Sequence, residues 1–221
     1  MPVMRLLLTS AGITNPSLAI ALSELLGKQF KTSHVTFIPT AANIEKGDKS
    51  WLVDDMANIK KLGFSVFDIV DIAVVPKNIW QESFTKADVF VFGGGVVAYL
   101  MKWMVKSGVA NVLPSLLKTK VYVGISAGSM VTAKTLSLTS TSILYYEQTG
   151  NLNPMKGLGL VDFEIRPHLN SPNFPKVTLE NLATLEKNIP YPFYATDDNT
   201  AVKVIDVRVE AVTEGAWKKF G

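Results

Sequence analysis

One serine in the chain stands where a catalytic nucleophile is commonly held. Ser126 lies between Gly124 and Gly128, directly after the apolar run 121–125. Small residues on both sides let a buried strand turn sharply into a helix, and that turn presents the serine hydroxyl beside backbone N–H groups. The pattern predicts a nucleophile elbow with Ser126 as the nucleophile. The alternative is a tight turn that only packs a helix close to a sheet.

A serine hydroxyl needs a base to take its proton, and imidazole is the usual base at neutral pH. The chain has two histidines and no cysteine, which excludes disulfides and a thiolate mechanism. His34 begins an early predicted strand. His168 follows Pro167, which ends a later strand and places His168 at the same sheet edge as Ser126. We therefore expect His168 to be the base.

The carboxylate that would orient the imidazole is not settled by the pattern. Five residues qualify: Glu147, Asp162, Glu164, Asp197 and Asp198. Asp197 and Asp198 are most simply turn residues. Glu147 lies between the serine and the histidine along the chain, and this order favours it as the acid.

Apolar runs of strand length alternate with segments of helical period along most of the chain. Strands are predicted at residues 4–9, 34–39, 64–70, 88–92, 121–125 and 158–165, and helices at 16–30, 50–62, 77–84, 96–106, 109–117 and 177–187. This alternation predicts an α/β fold, with one domain over residues 1–221, a mainly parallel sheet and helices on both faces. Segments 191–196 and 201–209 are predicted to pair as a hairpin that turns at 197–199.

Composition limits the partners. The formal charge of +3 comes from Lys and Arg scattered over 221 residues, so no nucleic-acid or membrane partner is indicated. The apolar run near the start is too short for a signal peptide, which predicts a cytoplasmic protein. The two histidines have no metal-ligand spacing. Trp51, Trp80 and Trp103 would suit either the core or the interface of a homodimer.

Four segments together resemble a known family. They are Phe92-Gly-Gly-Gly95, Val123-Gly-Ile-Ser-Ala-Gly128, Gly157-Leu-Gly-Leu160 leading to Arg166-Pro-His168, and Ala195-Thr-Asp-Asp-Asn-Thr-Ala201. This set resembles peptidase family S51, which includes aspartyl dipeptidases and cyanophycinase and has a sheet like that of class I glutamine amidotransferases. The resemblance implies a serine hydrolase that cleaves small peptides, often after an N-terminal aspartate, with no metal or other cofactor.

The resemblance also implies roles for individual residues. Ser126 matches the family nucleophile and His168 the base, while the backbone N–H groups of Gly94, Gly95 and Ala127 would form the oxyanion hole. Such a donor typically contributes about 3 kcal/mol to transition-state stabilisation. Arg166 is a candidate for binding an acidic substrate side chain, because a guanidinium binds a carboxylate through two hydrogen bonds. The alternative for Arg166 is a pair with Glu164 or Asp162.

The chain also departs from the family pattern. Val96 and Val97 follow the triple glycine where the aspartyl dipeptidases have Asn-Thr, which leaves the residue preference open. No carboxylate follows Ser126 at the family's spacing, so Glu147 is the nearest substitute. These departures keep a second interpretation open, a relative without catalysis that binds a small ligand in the same pocket. An esterase of the α/β-hydrolase class is disfavoured, because its histidine usually comes near the chain end.

Overall fold

The fold is described from a computed structural model, which defines residues 3–147, 154–189 and 191–221. The strands are β1 (Arg5–Thr9), β2 (His34–Ile38), β3 (Val66–Ile69), β4 (Val89–Phe92), β5 (Val121–Ile125), β6 (Thr135–Leu136), β7 (Met155–Lys156), β8 (Glu164–Arg166), β9 (Phe193–Thr196), β10 (Thr200–Ile205), β11 (Arg208–Thr213) and β12 (Trp217–Phe220). The α-helices are α1 (Pro16–Leu26), α2 (Ser50–Lys61), α3 (Lys77–Lys86), α4 (Val97–Lys106), α5 (Val109–Leu116), α6 (Ala127–Met130), α7 (Leu138–Tyr145) and α8 (Leu179–Leu185). Short 3₁₀ helices span Phe30–Thr32, Thr40–Ala42 and Glu186–Asn188.

A seven-stranded sheet forms the centre of the molecule, in the order β11-β10-β1-β5-β4-β2-β3. The strands β1, β5, β4, β2 and β3 run parallel to one another, and β10 is antiparallel to both of its neighbours, β1 and β11. Two apolar clusters cover the two faces of the sheet. Strands buried on both faces are continuously apolar, as the fully buried Leu6, Leu7 and Leu8 of β1 show. The expected α/β class is confirmed.

The first helix shows how local sequence sets an element. Asn15 caps α1 by accepting the backbone N–H of Leu18, and Pro16 occupies the first turn, where its missing N–H costs nothing. Gly27 ends the helix in the left-handed conformation, with φ 70°. The helix predicted over 16–30 therefore stops earlier, and the chain goes on through a short 3₁₀ turn.

The hairpin predicted for 191–209 is wrong. The two segments lie in different sheets: β9 pairs with β8 and β12 in a three-stranded sheet, whereas β10 pairs with β1 and β11 in the central one. Residues 197–199 therefore connect two sheets. The strand predicted over 158–165 is also shorter than expected, since only Glu164–Arg166 forms β8. These pairings are long-range, so local pattern did not reveal them.

Two further findings concern the burial of Trp80 and the length of the helices. Trp80 belongs to the core, with 1% of its surface exposed. Within the described parts of the chain, every helix is too short or too polar to cross a bilayer.

Candidate active site

Ser126 stands at a sharp turn between β5 and α6. Its backbone angles are φ 47° and ψ −107°, a strained combination for a residue with a side chain. A Cβ at Gly124 would lie 2.6 Å from the backbone nitrogen of Ser129, and one at Gly128 would lie 2.0 Å from the carbonyl oxygen of Phe92. Both positions therefore require glycine, and the turn has the geometry of the elbow that the sequence predicts.

Neighbouring strands bring further residues to the same edge of the sheet. Thr9 of β1 pairs with Ile125 of β5, so Ser10 follows β1 directly beside Ser126. Phe92 of β4 pairs with Gly124, which brings the triple glycine to the same level. The site therefore lies at the carboxyl ends of parallel strands, where α/β sheets usually bind ligands.

His168 reaches this edge from the second sheet, two residues beyond the end of β8. Its Nε2 lies 3.0 Å from the Oγ of Ser126. The ring stacks on Phe174 with centroids 4.4 Å apart, and the backbone N–H of His168 donates to the Oγ of Ser10 at 2.7 Å. The backbone of His168 has a φ of 65°, so packing and hydrogen bonds hold it in an uncommon conformation.

Asp198 is the carboxylate that meets the imidazole. Its Oδ1 lies 2.6 Å from Nδ1 of His168 and also accepts the hydroxyl of Ser10 at 2.8 Å. Burial alone would raise the pKa of Asp198, but hydrogen bonds from His168, Ser10 and Ser171 and the charge of His168 hold it below its ordinary value. Asp198 therefore stays ionised, and a proton on Nδ1 leaves Nε2 free to accept the proton of Ser126.

The assignment of the orienting acid to Glu147 is therefore corrected. Glu147 accepts the backbone N–H of Val97 through Oε1 at 3.4 Å, and its Oε2 is buried without a hydrogen-bond partner in the described chain. Burial raises the pKa of Glu147 to about 7, against the hydrogen bond from Val97, which lowers it. The position of Glu147 between the serine and the histidine along the chain favoured it as the acid. The connection from β9 in the second sheet to β10 in the central sheet brings Asp198 to the histidine instead.

The remaining acidic candidates are engaged elsewhere. Asp162 pairs with Lys134 at the surface. Asp197 has the expected turn role, since it accepts the backbone N–H groups of Asn199 and Ala216.

Arg166 does not line the cavity beside Ser126, although the family resemblance made it a candidate for binding an acidic substrate side chain. The side chain is fully buried, where it pairs with Glu164 and donates to the Oγ1 of Thr141 at 3.1 Å. Arg166 and Glu164 are two residues apart on β8 and so share one face of the strand. A buried ion pair of this kind belongs to the packing of the second sheet.

Two glycines of the candidate oxyanion hole, Gly94 and Gly95, line the same cavity as Ser126. Gly94 lies against Ser126, since a Cβ on Gly94 would be 3.5 Å from the serine Cβ. Gly95 has φ 127°, and a Cβ there would lie 2.4 Å from the carbonyl of Ala41. In residues 3–147, 154–189 and 191–221, the N–H groups of Gly94 and Gly95 have no hydrogen-bond acceptor. Ala127 follows Ser126 directly and begins α6.

A cavity of about 450 Å³ opens at Ser126 and His168. Five carboxylates line it: Glu45, Asp48, Asp55, Glu147 and Asp198. Among the described lining residues there is no lysine or arginine. Asp55, on α2, is only 9% exposed, and burial raises its pKa to about 7, with repulsion from Asp54 and Asp198 adding to the effect.

The sequence names Asp198 among five possible acids, but its place in a predicted turn favours Glu147 instead. Two further residues of the site, Ser10 and Asp55, carry no sequence signal. Ser10 directly follows the first strand and Asp55 lies within the second helix, and neither belongs to a motif. As for metals, the described chain has no group of three or more His, Asp or Glu side chains arranged to hold an ion.

Comparison with known proteins identifies the family of the chain. The sequence model of peptidase family S51 matches residues 6–212. An uncharacterized peptidase of Pasteurella multocida is 26% identical over 171 residues, covering 77% of this chain and 80% of that protein. An uncharacterized peptidase of Listeria innocua is 27% identical over 188 residues, 85% of each chain.

Two solved structures share the fold. A Listeria monocytogenes protein that carries the provisional name peptidase E superposes with a TM-score of 0.79 at 21% identity, over 96% of this chain and 100% of that one. A peptidase from an acI-B1 Actinobacterium has a TM-score of 0.64 at 18% identity, over 99% and 95% of the two chains. Since the family match spans almost the whole sequence, the chain belongs to peptidase family S51.

Proposed function

We propose that this S51 peptidase is a serine hydrolase that cleaves small peptides through an acyl-enzyme on Ser126. The observation that supports this most strongly is the hydrogen-bonded series from Ser126 through His168 to Asp198, with separations of 3.0 and 2.6 Å. The series has the order and geometry of a serine-hydrolase triad, in which the base is held by a carboxylate on its far nitrogen.

The chemistry follows from the arrangement. The Oγ of Ser126 attacks the scissile carbonyl carbon while its proton passes to Nε2 of His168. The carbonyl oxygen becomes an oxyanion, and the N–H groups of Gly94, Gly95 and Ala127 are its proposed donors. The C–N bond then breaks, and His168 returns the proton to the leaving amine. Water, deprotonated by His168, attacks the ester, and cleavage of the acyl–oxygen bond restores the serine.

The size of the cavity favours a short substrate. About 450 Å³ falls within the usual range of small-molecule sites, so a dipeptide or another small amide fits better than an extended chain. The aspartate preference that the resemblance implies has less support. Arg166 is buried beside Glu164, and the described residues that line the cavity include no lysine or arginine to pair with an anionic substrate side chain.

Active-site labelling tests this function. A fluorophosphonate probe reacts with an activated serine, so we expect it to label the wild-type protein at Ser126 and to leave Ser126→Ala unlabelled. Ser129→Ala is the matched control, because Ser129 is buried and donates to the carbonyl of Thr9. Wild-type protein that is folded but unlabelled would overturn the proposal and favour a relative that only binds a small ligand.

A further inference from the structure

We propose that the cavity beside Ser126 binds a positively charged group of the substrate, an ammonium or guanidinium, with Asp55 as its counter-ion. This inference rests on the proposed function and adds the substrate class to it. The two sources of such a charge in a peptide are the free N-terminus and a basic side chain.

The position of Asp55 is the first argument. Asp55 lines the cavity although only 9% of the residue is exposed. Within the described residues it has no hydrogen-bond donor and no ion-pair partner, and the charges that act on it, Asp54 and Asp198, are both negative. An ionised carboxylate that is buried without a partner is costly, so a cation entering the cavity would be stabilised as its counter-ion.

The second argument is Glu147, which lines the same cavity from another part of the chain. Its Oε2 is buried and has no hydrogen-bond partner among the described residues. Two carboxylates, one on α2 and one after α7, thus have unmet hydrogen-bonding capacity around one cavity. An ammonium group has three hydrogen-bond donors and no acceptor, so it supplies the donors that these two carboxylates lack.

The basic side chains described near the cavity already have acidic neighbours. His168 is bonded to Asp198, and Arg166 is paired with Glu164 away from the cavity. Lys49 acts electrostatically on Glu45, which is half-buried. The field inside the cavity is therefore negative, and it attracts cationic substrates and repels an aspartate side chain.

Substrate comparison with the wild-type protein is the first part of the test. Hydrolysis of Lys-Ala is measured against norleucine-Ala, which has a side chain of similar length without the charge, and against Asp-Ala, each with a free and an acetylated N-terminus. We expect the loss of positive charge to lower kcat/KM by about 10- to 100-fold, the usual range for one charge-assisted hydrogen bond. Sensitivity to acetylation assigns the charge to the N-terminus, and sensitivity to norleucine assigns it to the side chain. Equal rates for charged and neutral substrates, or a preference for Asp-Ala, would overturn the inference.

Variants of the two neighbouring carboxylates are the second part. Asp55→Asn keeps the shape of the side chain and removes its charge, so KM for the cationic substrate should rise while fluorophosphonate labelling of Ser126 persists. Asp54→Asn is the matched control, because Asp54 is exposed on the same helix. Equal KM values for the two variants would overturn the role of Asp55 and leave the serine mechanism intact.

A binding measurement separates this inference from the proposed function. Calorimetric titration of L-lysine amide into Ser126→Ala requires no catalysis. We expect binding that Asp55→Asn, introduced into the same background, weakens by at least tenfold. If Ser126 is not labelled but lysine amide binds in this way, the hydrolase mechanism fails and the cation site stands. If lysine amide does not bind but Ser126 is labelled normally, the cation site fails and the hydrolase mechanism stands.

Discussion

Ser10 and Asp198 are joined by a hydrogen bond of 2.8 Å, from the Oγ of Ser10 to Oδ1 of the carboxylate. The same hydroxyl oxygen accepts the backbone N–H of His168 at 2.7 Å. Ser10 follows β1 of the central sheet, whereas His168 follows β8 of the second sheet. One hydroxyl thus ties the acid and the base of the proposed triad to the strand beside Ser126.

Ser10→Ala should lower kcat about tenfold with KM little changed, because one lost hydrogen bond to a charged group costs about 1.5 kcal/mol. The hydroxyl also helps to hold the pKa of Asp198 low, so the acid limb of the kcat profile should move to higher pH. Steady-state kinetics across pH measure both effects. Ser33→Ala is the control, since this buried hydroxyl bonds Gln29 far from the cavity. An equal loss in both variants would contradict a positioning role.

Asp198→Asn should lower kcat by roughly ten-thousandfold, as expected when the imidazole loses the group that fixes its tautomer. Asp162→Asn is the matched control, because Asp162 is an exposed carboxylate whose ion-pair partner is Lys134. Its kcat should stay within about twofold of wild type, as for a surface ion pair. Glu147→Gln separates the two acids: a larger loss of kcat here than in Asp198→Asn would restore Glu147 as the triad acid.

Gly95→Ala should destabilise the protein by more than about 3 kcal/mol, because its φ of 127° is unfavourable for alanine and the new Cβ would lie 2.4 Å from the carbonyl of Ala41. Gly47→Ala is the control, with φ 89° and no atom within 4 Å of its Cβ position. The control should lose only about 1 kcal/mol. Urea unfolding gives both values, and similar losses would show that the loop relaxes easily around Gly95.

Asp55→Asn should stabilise the protein at pH 8 and have little effect near pH 4. Burial raises the pKa of Asp55 from 3.8 to about 7, so the folded state keeps a proton that the unfolded chain has released. Stability therefore falls as pH rises from about 4 to 7, by an amount on the order of 4 kcal/mol at full ionisation. Thermal unfolding across this range measures the difference between variant and wild type. The same gain in melting temperature at both ends of the pH range would contradict this prediction. Asp54→Asn removes only one of the repelling charges and should give a smaller change.

The sequence by itself determined the parts of the site that depend on neighbouring residues. The apolar run before Ser126 and the glycines around it specify a strand, a sharp turn and a helix, because each requirement is met within a few positions. Two histidines in 221 residues left little choice of base. The alternation of strands and helices likewise specified the α/β class, since it depends on local hydrophobic period.

Tertiary structure decided which carboxylate meets the histidine and where the charges lie. Asp198 reaches His168 only because β9 and β10 pair in different sheets, and the register of those long-range pairs is not contained in the residues around 197–199. The sequence allowed Arg166 to pair either with the substrate or with Glu164. In the fold its side chain is buried on β8 and paired with Glu164. The acidic cavity joins α2 to the segment after α7, which are distant along the chain. Contacts of this kind depend on the packing of whole elements, whereas a motif depends only on its own few residues.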